Sequence, residues 1–194
     1  MALEPRSVSS IVEDTKRLLA SDNLSSVERA DAEAFLGEMS EQSATDVAAY
    51  DFFLAHMPAD DADVSLIILK GHLLVEQRVR EFVENRLLTP KALSAARLTS
   101  HQWICLAEAN CLPNPDPAWL WATVRELNSL RNSLAHNLAP TGIQERIDQF
   151  MKSYRERHSI RGGLVSCIGN LYAQVAAFAA LALERDYRIP RPKG

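Results

Sequence analysis

The sequence predicts an all-α fold, and three observations carry that prediction. The 194 residues include 26 Ala and 25 Leu, both strong helix formers. Glycine numbers only 7, too few for the tight turns of sandwiches and barrels. Apolar residues recur at spacings of three and four, punctuated by Ser, Thr and Asp at cap positions. The expected architecture is a helical bundle of four main core helices over residues 58–188. Residues 1–57 read as an N-terminal helical extension, and 189–194 as a flexible tail marked by Pro190 and Pro192.

Each element has a local reason. Ser10-x-x-Glu13 reads as a capping box within a first helix over about residues 7–20. Ser25-x-x-Glu28 opens a second helix, to about Met39, and Val47, Tyr50, Phe53 and Leu54 mark a third over 43–57. Pro58 breaks the pattern. The run Asp60-Asp61-Ala62-Asp63 then suits a helix N-terminus, where carboxylates complement the macrodipole. The helix that follows, about 62–87, is apolar nearly all round and so reads as central. Thr89-Pro90 ends it. Thr99-x-x-Gln102 caps a short helix to about Cys111. Pro113 to Pro117 form a stiff turn, with Asp116 as N-cap and Pro117 at the first helical position. A long helix runs from Trp119 to about Leu138 and stops at Pro140. Thr141-x-x-Gln144 starts a polar helix to about His158, and Gly162-Gly163 opens the last, to about Arg185. Gly169, Ala173, Ala176 and Ala180 share one face of that last helix. Small residues there suit close approach by a core neighbour or by a second copy.

Composition bounds the function. Hydrophobic residues at 47% and charged residues at 24% are those of a globular protein and exclude a disordered chain. A net charge of −4 argues against a protein that coats nucleic acid, though not against a local basic site. Three Cys without C-x-x-C favour a reducing compartment. With no apolar leader in the first residues, a cytoplasmic location is expected. The last helix approaches the length of a membrane span, but its Ser166, Asn170, Tyr172 and Gln174 make it a poor one, so no membrane association is expected.

The segment richest in chemistry is Arg131-Asn132-Ser133-Leu134-Ala135-His136. Leu127, Leu130, Leu134 and Leu138 share one helix face and read as core. Arg125, Ser129, Asn132 and His136 fall on the opposite face. Arg131 lies beside the leucine stripe, so it does not line up with His136 on an ideal helix. Either the helix end distorts, or a second copy completes the site.

This segment resembles the R-x(4–6)-H signature of the HEPN superfamily, with a polar residue after the Arg. Leu69-Lys70-Gly71-His72-Leu73-Leu74-Val75-Glu76 is similar to the first core helix of its bacterial members. The resemblance spans about residues 60–187. It implies a helical bundle that forms a homodimer, with two motifs lining a shared cleft. It also implies a metal-independent endoribonuclease of toxin–antitoxin, phage-defence or CRISPR type, with RNA as substrate and an antitoxin protein as a further partner. Carried over, His136 is the general base or acid for attack of the ribose 2′-OH. Arg131 stabilises the phosphorane, and Asn132 orients phosphate or His136. Glu76, Arg125 and Ser129 are candidate supporting residues. No cofactor is implied. The alternative is a non-catalytic HEPN-like interaction module or transcriptional regulator resembling the mannitol-repressor type; nucleotide binding is a third.

Glu76 continues a stripe of Leu66, Leu69 and Leu73 that reads as core. Its partner is then either Arg131 or, if it lies past the buried region, Arg80 at i+4. His72 reads as a helix-face residue. His101, Cys105 and Cys111 lack zinc-ligand spacing and read as core or cap residues. Tyr154 to His158 with Arg161 read as a solvated helix end, with an RNA backbone contact as the alternative, and Trp103, Trp119 and Trp121 as core or interface residues.

Overall fold

The computed structural model describes residues 7–20, 24–41, 44–111, 117–136, 141–158 and 162–188. The expected turn residues Pro113 to Asp116 lie outside the described residues, as do Leu138, Pro140, Arg161 and the tail 189–194. The fold is all-α: eight α-helices, one 3₁₀ helix and no strand among the described residues. The chain forms two compact units, Met1–His56 and Met57–Gly194.

The first unit holds α1 (Val8–Leu19), α2 (Ser26–Glu41) and α3 (Ala44–His56). Ser7, not Ser10, caps α1: its side chain accepts from the Ser10 N–H. The expected box at α2 forms, with the Ser25 N–H donating to Glu28 at 2.9 Å and the Glu28 N–H donating to Ser25 Oγ at 3.3 Å. The α3 carboxylate of Asp51 accepts from the Val8 N–H, tying α1 to α3.

The second unit is built on four long helices: α4 (Val64–Glu84), α6 (Ala118–His136), α7 (Ile143–His158) and α8 (Leu164–Arg188). The short α5 (Ser100–Asn110) and a 3₁₀ helix (Pro90–Ala95) link α4 to α6. Asp63 caps α4, and Thr99 with Gln102 forms a complete capping box on α5. Asp60 serves a different helix from the one expected: its carboxylate accepts from the Val165 N–H at 3.3 Å, in the first turn of α8. Gly163 leaves room for it, since a Cβ there would sit 2.7 Å from Asp60 Oδ1.

Helix α4 packs on α5, α6 and α8, so it is central. At its crossing with α8, a Cβ on Gly71 would sit 2.8 Å from Ile168 Cγ2, so glycine permits the close approach. The buried face of α4 is Ile67, Ile68, Gly71, His72, Leu74, Val75, Val79, Phe82 and Val83. The stripe expected to be core is not: Leu66 is 42% and Leu73 60% exposed. The first half of α4, Val64 to Val75, carries apolar residues on several sides, so neighbours select which face is buried. His72, read as a helix-face residue, is 3% exposed. On α6, Leu127 and Leu130 are fully buried, and Leu134 is half-buried. On α8, Gly169 is buried and Ala173 and Ala176 are half-buried. No helix among the described residues is long and apolar enough to cross a membrane.

Candidate functional site

Helix α6 organises two polar regions on different sides of itself. The first faces α4. Asn128, one turn before Arg131, is buried and presents Oδ1 to His72 Nε2 at 3.0 Å. An amide oxygen only accepts, so Nε2 carries the hydrogen and Nδ1 is left bare. Nδ1 lies 3.7 Å from a Glu76 oxygen. Burial pushes the His72 imidazole below its ordinary range; Glu76 opposes that, and Arg131 adds to it. Burial pushes Glu76 up, but hydrogen bonds from Ser100 and Arg80 and the charge of Arg80 outweigh it and hold the carboxyl low. The partner of Glu76 is therefore Arg80 at i+4, joined by Ser100 at the start of α5. Glu76 is nonetheless mostly covered, and Arg131 reaches the cluster only through its field on His72.

The second region lies at the C-terminus of α6 and on its side facing α7, with Arg131 between the two regions. Arg131 is half-buried, and its guanidinium donates to Asn132 Oδ1 at 2.9 Å. His136 is exposed on the last helical residue. Helix α6 is regular throughout, so the five-residue step between Arg131 and His136 separates them by about 140° around the axis. No hydrogen bond joins the two. Arg125, also expected near His136, is drawn to α5 by an ion pair with Glu108, and that bond raises its pKa. Ser129 is exposed and accepts from Arg146 of α7 at 2.9 Å; the same guanidinium donates to Ser133 Oγ at 2.6 Å. Ser129, Ser133 and His136 follow at +4 and +3, so Arg146 spans the face that ends at His136.

Further along the same α6–α7 seam lies a shallow pocket of about 180 Å³, lined by Trp119, Glu126, Phe150, Ser153, Tyr154 and Arg157 among others. Tyr154 was expected in a solvated helix end, but it is buried and donates to Asn170 Oδ1 at 2.9 Å. Trp103 and Trp121 are core residues, whereas Trp119 is only half-buried. Pairing of the low-numbered end of α6 with the high-numbered end of α7 makes these helices antiparallel. Residue reasoning missed Arg146, because its serine partners lie 13 and 17 positions away. The available signal was Arg146, Phe150, Ser153 and Arg157 at +4, +3, +4 on one α7 face.

Cys105 and His101, expected in core or cap roles, are exposed, with Sγ 3.6 Å from Nε2; Cys111 is the C-cap residue of α5. No group of three or more His, Cys, Asp or Glu among the described residues is arranged to hold a metal ion. The fold and these regions define a class: an all-α protein with a polar seam between α6 and α7 that ends at an exposed histidine. Comparison with known proteins finds no matching family model and no match among curated proteins or solved structures.

Proposed function

We propose that this protein is a metal-independent endoribonuclease of HEPN type, acting as a homodimer at the C-terminal end of α6. The observation that carries the reading is the pairing of Arg131 with Asn132, with His136 exposed one turn on. A guanidinium held by its neighbour is pre-oriented to receive a phosphate, and an exposed imidazole can carry a proton to or from a bound substrate. In the reaction, the 2′-oxygen of RNA attacks the adjacent phosphorus and the P–O5′ bond breaks. The products are a 2′,3′-cyclic phosphate and a 5′-hydroxyl. His136 takes the 2′ proton, the leaving oxygen gains one from solvent, and Arg131 stabilises the charge on the phosphorane. The nucleophile belongs to the substrate, so this step calls for no metal ion.

The regularity of α6 removes helix distortion as a way to bring Arg131 and His136 together. This supports a second copy that sets the guanidinium of one chain against the imidazole of the other. The exposed Leu66 and Leu73 favour the second reading, a non-catalytic module that binds partners through α4. RNA incubated in EDTA separates the two. Wild-type protein is expected to leave cyclic-phosphate ends. His136→Ala lowers the rate about 10²–10⁴-fold, and Arg131→Ala about 10²–10³-fold. Equal RNA decay in all three samples rejects the ribonuclease reading.

A further inference from the structure

We infer that the α6–α7 groove is the track for the single-stranded RNA cleaved at the end of α6, with one base seated against Trp119 beside Glu126 and the phosphates met by Arg146 and Arg157. The inference rests on the ribonuclease reading, because it assigns the groove to that reaction's substrate.

Four observations lead to it. First, the groove is continuous with the proposed reaction centre. Trp119, Glu126, Ser129, Ser133 and His136 follow one face of α6, and the rise from Trp119 to His136 is about 25 Å. That length holds a run of several nucleotides, within the roughly 4–16 covered by known single-strand grooves. Second, the pocket volume of about 180 Å³ is below the roughly 300–1,000 Å³ that encloses a drug-sized ligand. It suits one fragment of a longer molecule, such as a single base.

Third, Trp119 offers a stacking platform. Its ring is held by His158 at 4.6 Å and by the edge of Phe178 at 6.3 Å, and the Arg157 guanidinium lies over it at 5.7 Å, so a base takes that place when Arg157 turns to a phosphate. Yet it stays half-exposed and lines the pocket. Every base has a face that can stack on such a ring. Fourth, the charges alternate as a nucleotide requires. Arg146 and Arg157 lie on one α7 face, three turns apart, and supply the cations for phosphates. Between them is Glu126, a carboxyl that cannot serve a phosphate. It can accept from the amino group of cytosine, adenine or guanine. The one edge donor of uracil is flanked by carbonyl oxygens that repel a carboxylate. Burial pushes the Glu126 carboxyl up while the field of Arg146 opposes it, consistent with a partly covered acceptor. A duplex keeps its bases paired and stacked unless that cost is met, so the substrate is single-stranded.

The test uses His136→Ala protein, so that RNA is bound and not cut, with heptanucleotides of A, C and U. The heptanucleotides carry a dye at one end, so polarisation reads binding to every variant; Trp103 and Trp121 are buried, so quenching of intrinsic fluorescence in protein that keeps Trp119 reports that ring. The expected result is quenching by the A and C oligomers, with Trp119→Phe and Arg157→Gln each weakening binding about tenfold, the lower end of base stacking. Glu126→Gln is expected to erase the preference for C over U. Thermal melts of these conservative variants verify that each is folded. If quenching is absent and all variants bind alike while wild-type protein still cleaves RNA, the groove assignment is overturned and the ribonuclease reading survives. If the variants behave as expected but wild-type protein cuts nothing, the ribonuclease reading falls and the base pocket stands.

Discussion

The side of α6 facing α4 and the side facing α7 use polar residues in contrasting ways. Toward α4, Asn128, His72 and Glu76 are covered, and their hydrogen bonds offset the cost of burial. Toward α7, Ser129, Arg146 and His136 lie at the surface, where a polar contact adds little stability. Polar residues on the first side hold the bundle together, and those on the second are available to a ligand. Arg131 sits between the two, close enough to His72 to act on its charge while its own guanidinium turns to Asn132.

Breaking the buried side should act on stability. Leu130 is fully buried, and Leu130→Ala is expected to cost about 2–5 kcal/mol, read by chemical denaturation. Asn128→Ala strands the imidazole N–H of His72 and is expected to cost about 1–3 kcal/mol. A loss as small as that of a surface variant would show that the network is incidental.

Acid titration sharpens the same contrast. His72 is depressed by burial, so the unfolded chain takes up its proton first as pH falls. Its contribution to stability is whole above the unfolded imidazole range, near pH 6.5, and is lost progressively below it. Glu76 is also depressed, and its contribution fades lower, in the carboxylate range. Between pH 7 and 5 the melting temperature should therefore fall, and His72→Gln should flatten that fall. His158 is likewise depressed by burial and by Arg157, so a smaller slope should remain. The smallest effect belongs to the open side: Arg146→Gln is expected to change stability by no more than about 0.5 kcal/mol.

Much of this arrangement was legible in the sequence where its causes are local. The Ser25–Glu28 and Thr99–Gln102 boxes and the Glu76–Arg80 pair involve residues three or four apart, and helical geometry alone brings these together. The His72–Asn128 bond spans 56 positions and depends on how α4 meets α6. The same packing decides that Leu73 is exposed while Leu74 is buried, which two adjacent leucines cannot encode by themselves. The Arg131–Asn132 contact is local, but the separation of Arg131 from His136 acquires meaning only once α6 is seen to stay regular to its end.

The central claim is that Arg131 of one copy works with His136 of another. Mixing inactive Arg131→Ala and inactive His136→Ala proteins, after dissociation and reassociation, tests it directly. In a two-fold dimer each mixed pair regenerates one intact site, so RNA cleavage should return to roughly a quarter of the wild-type rate. A mixture as inactive as either variant alone, beside an active wild type, would contradict the shared site.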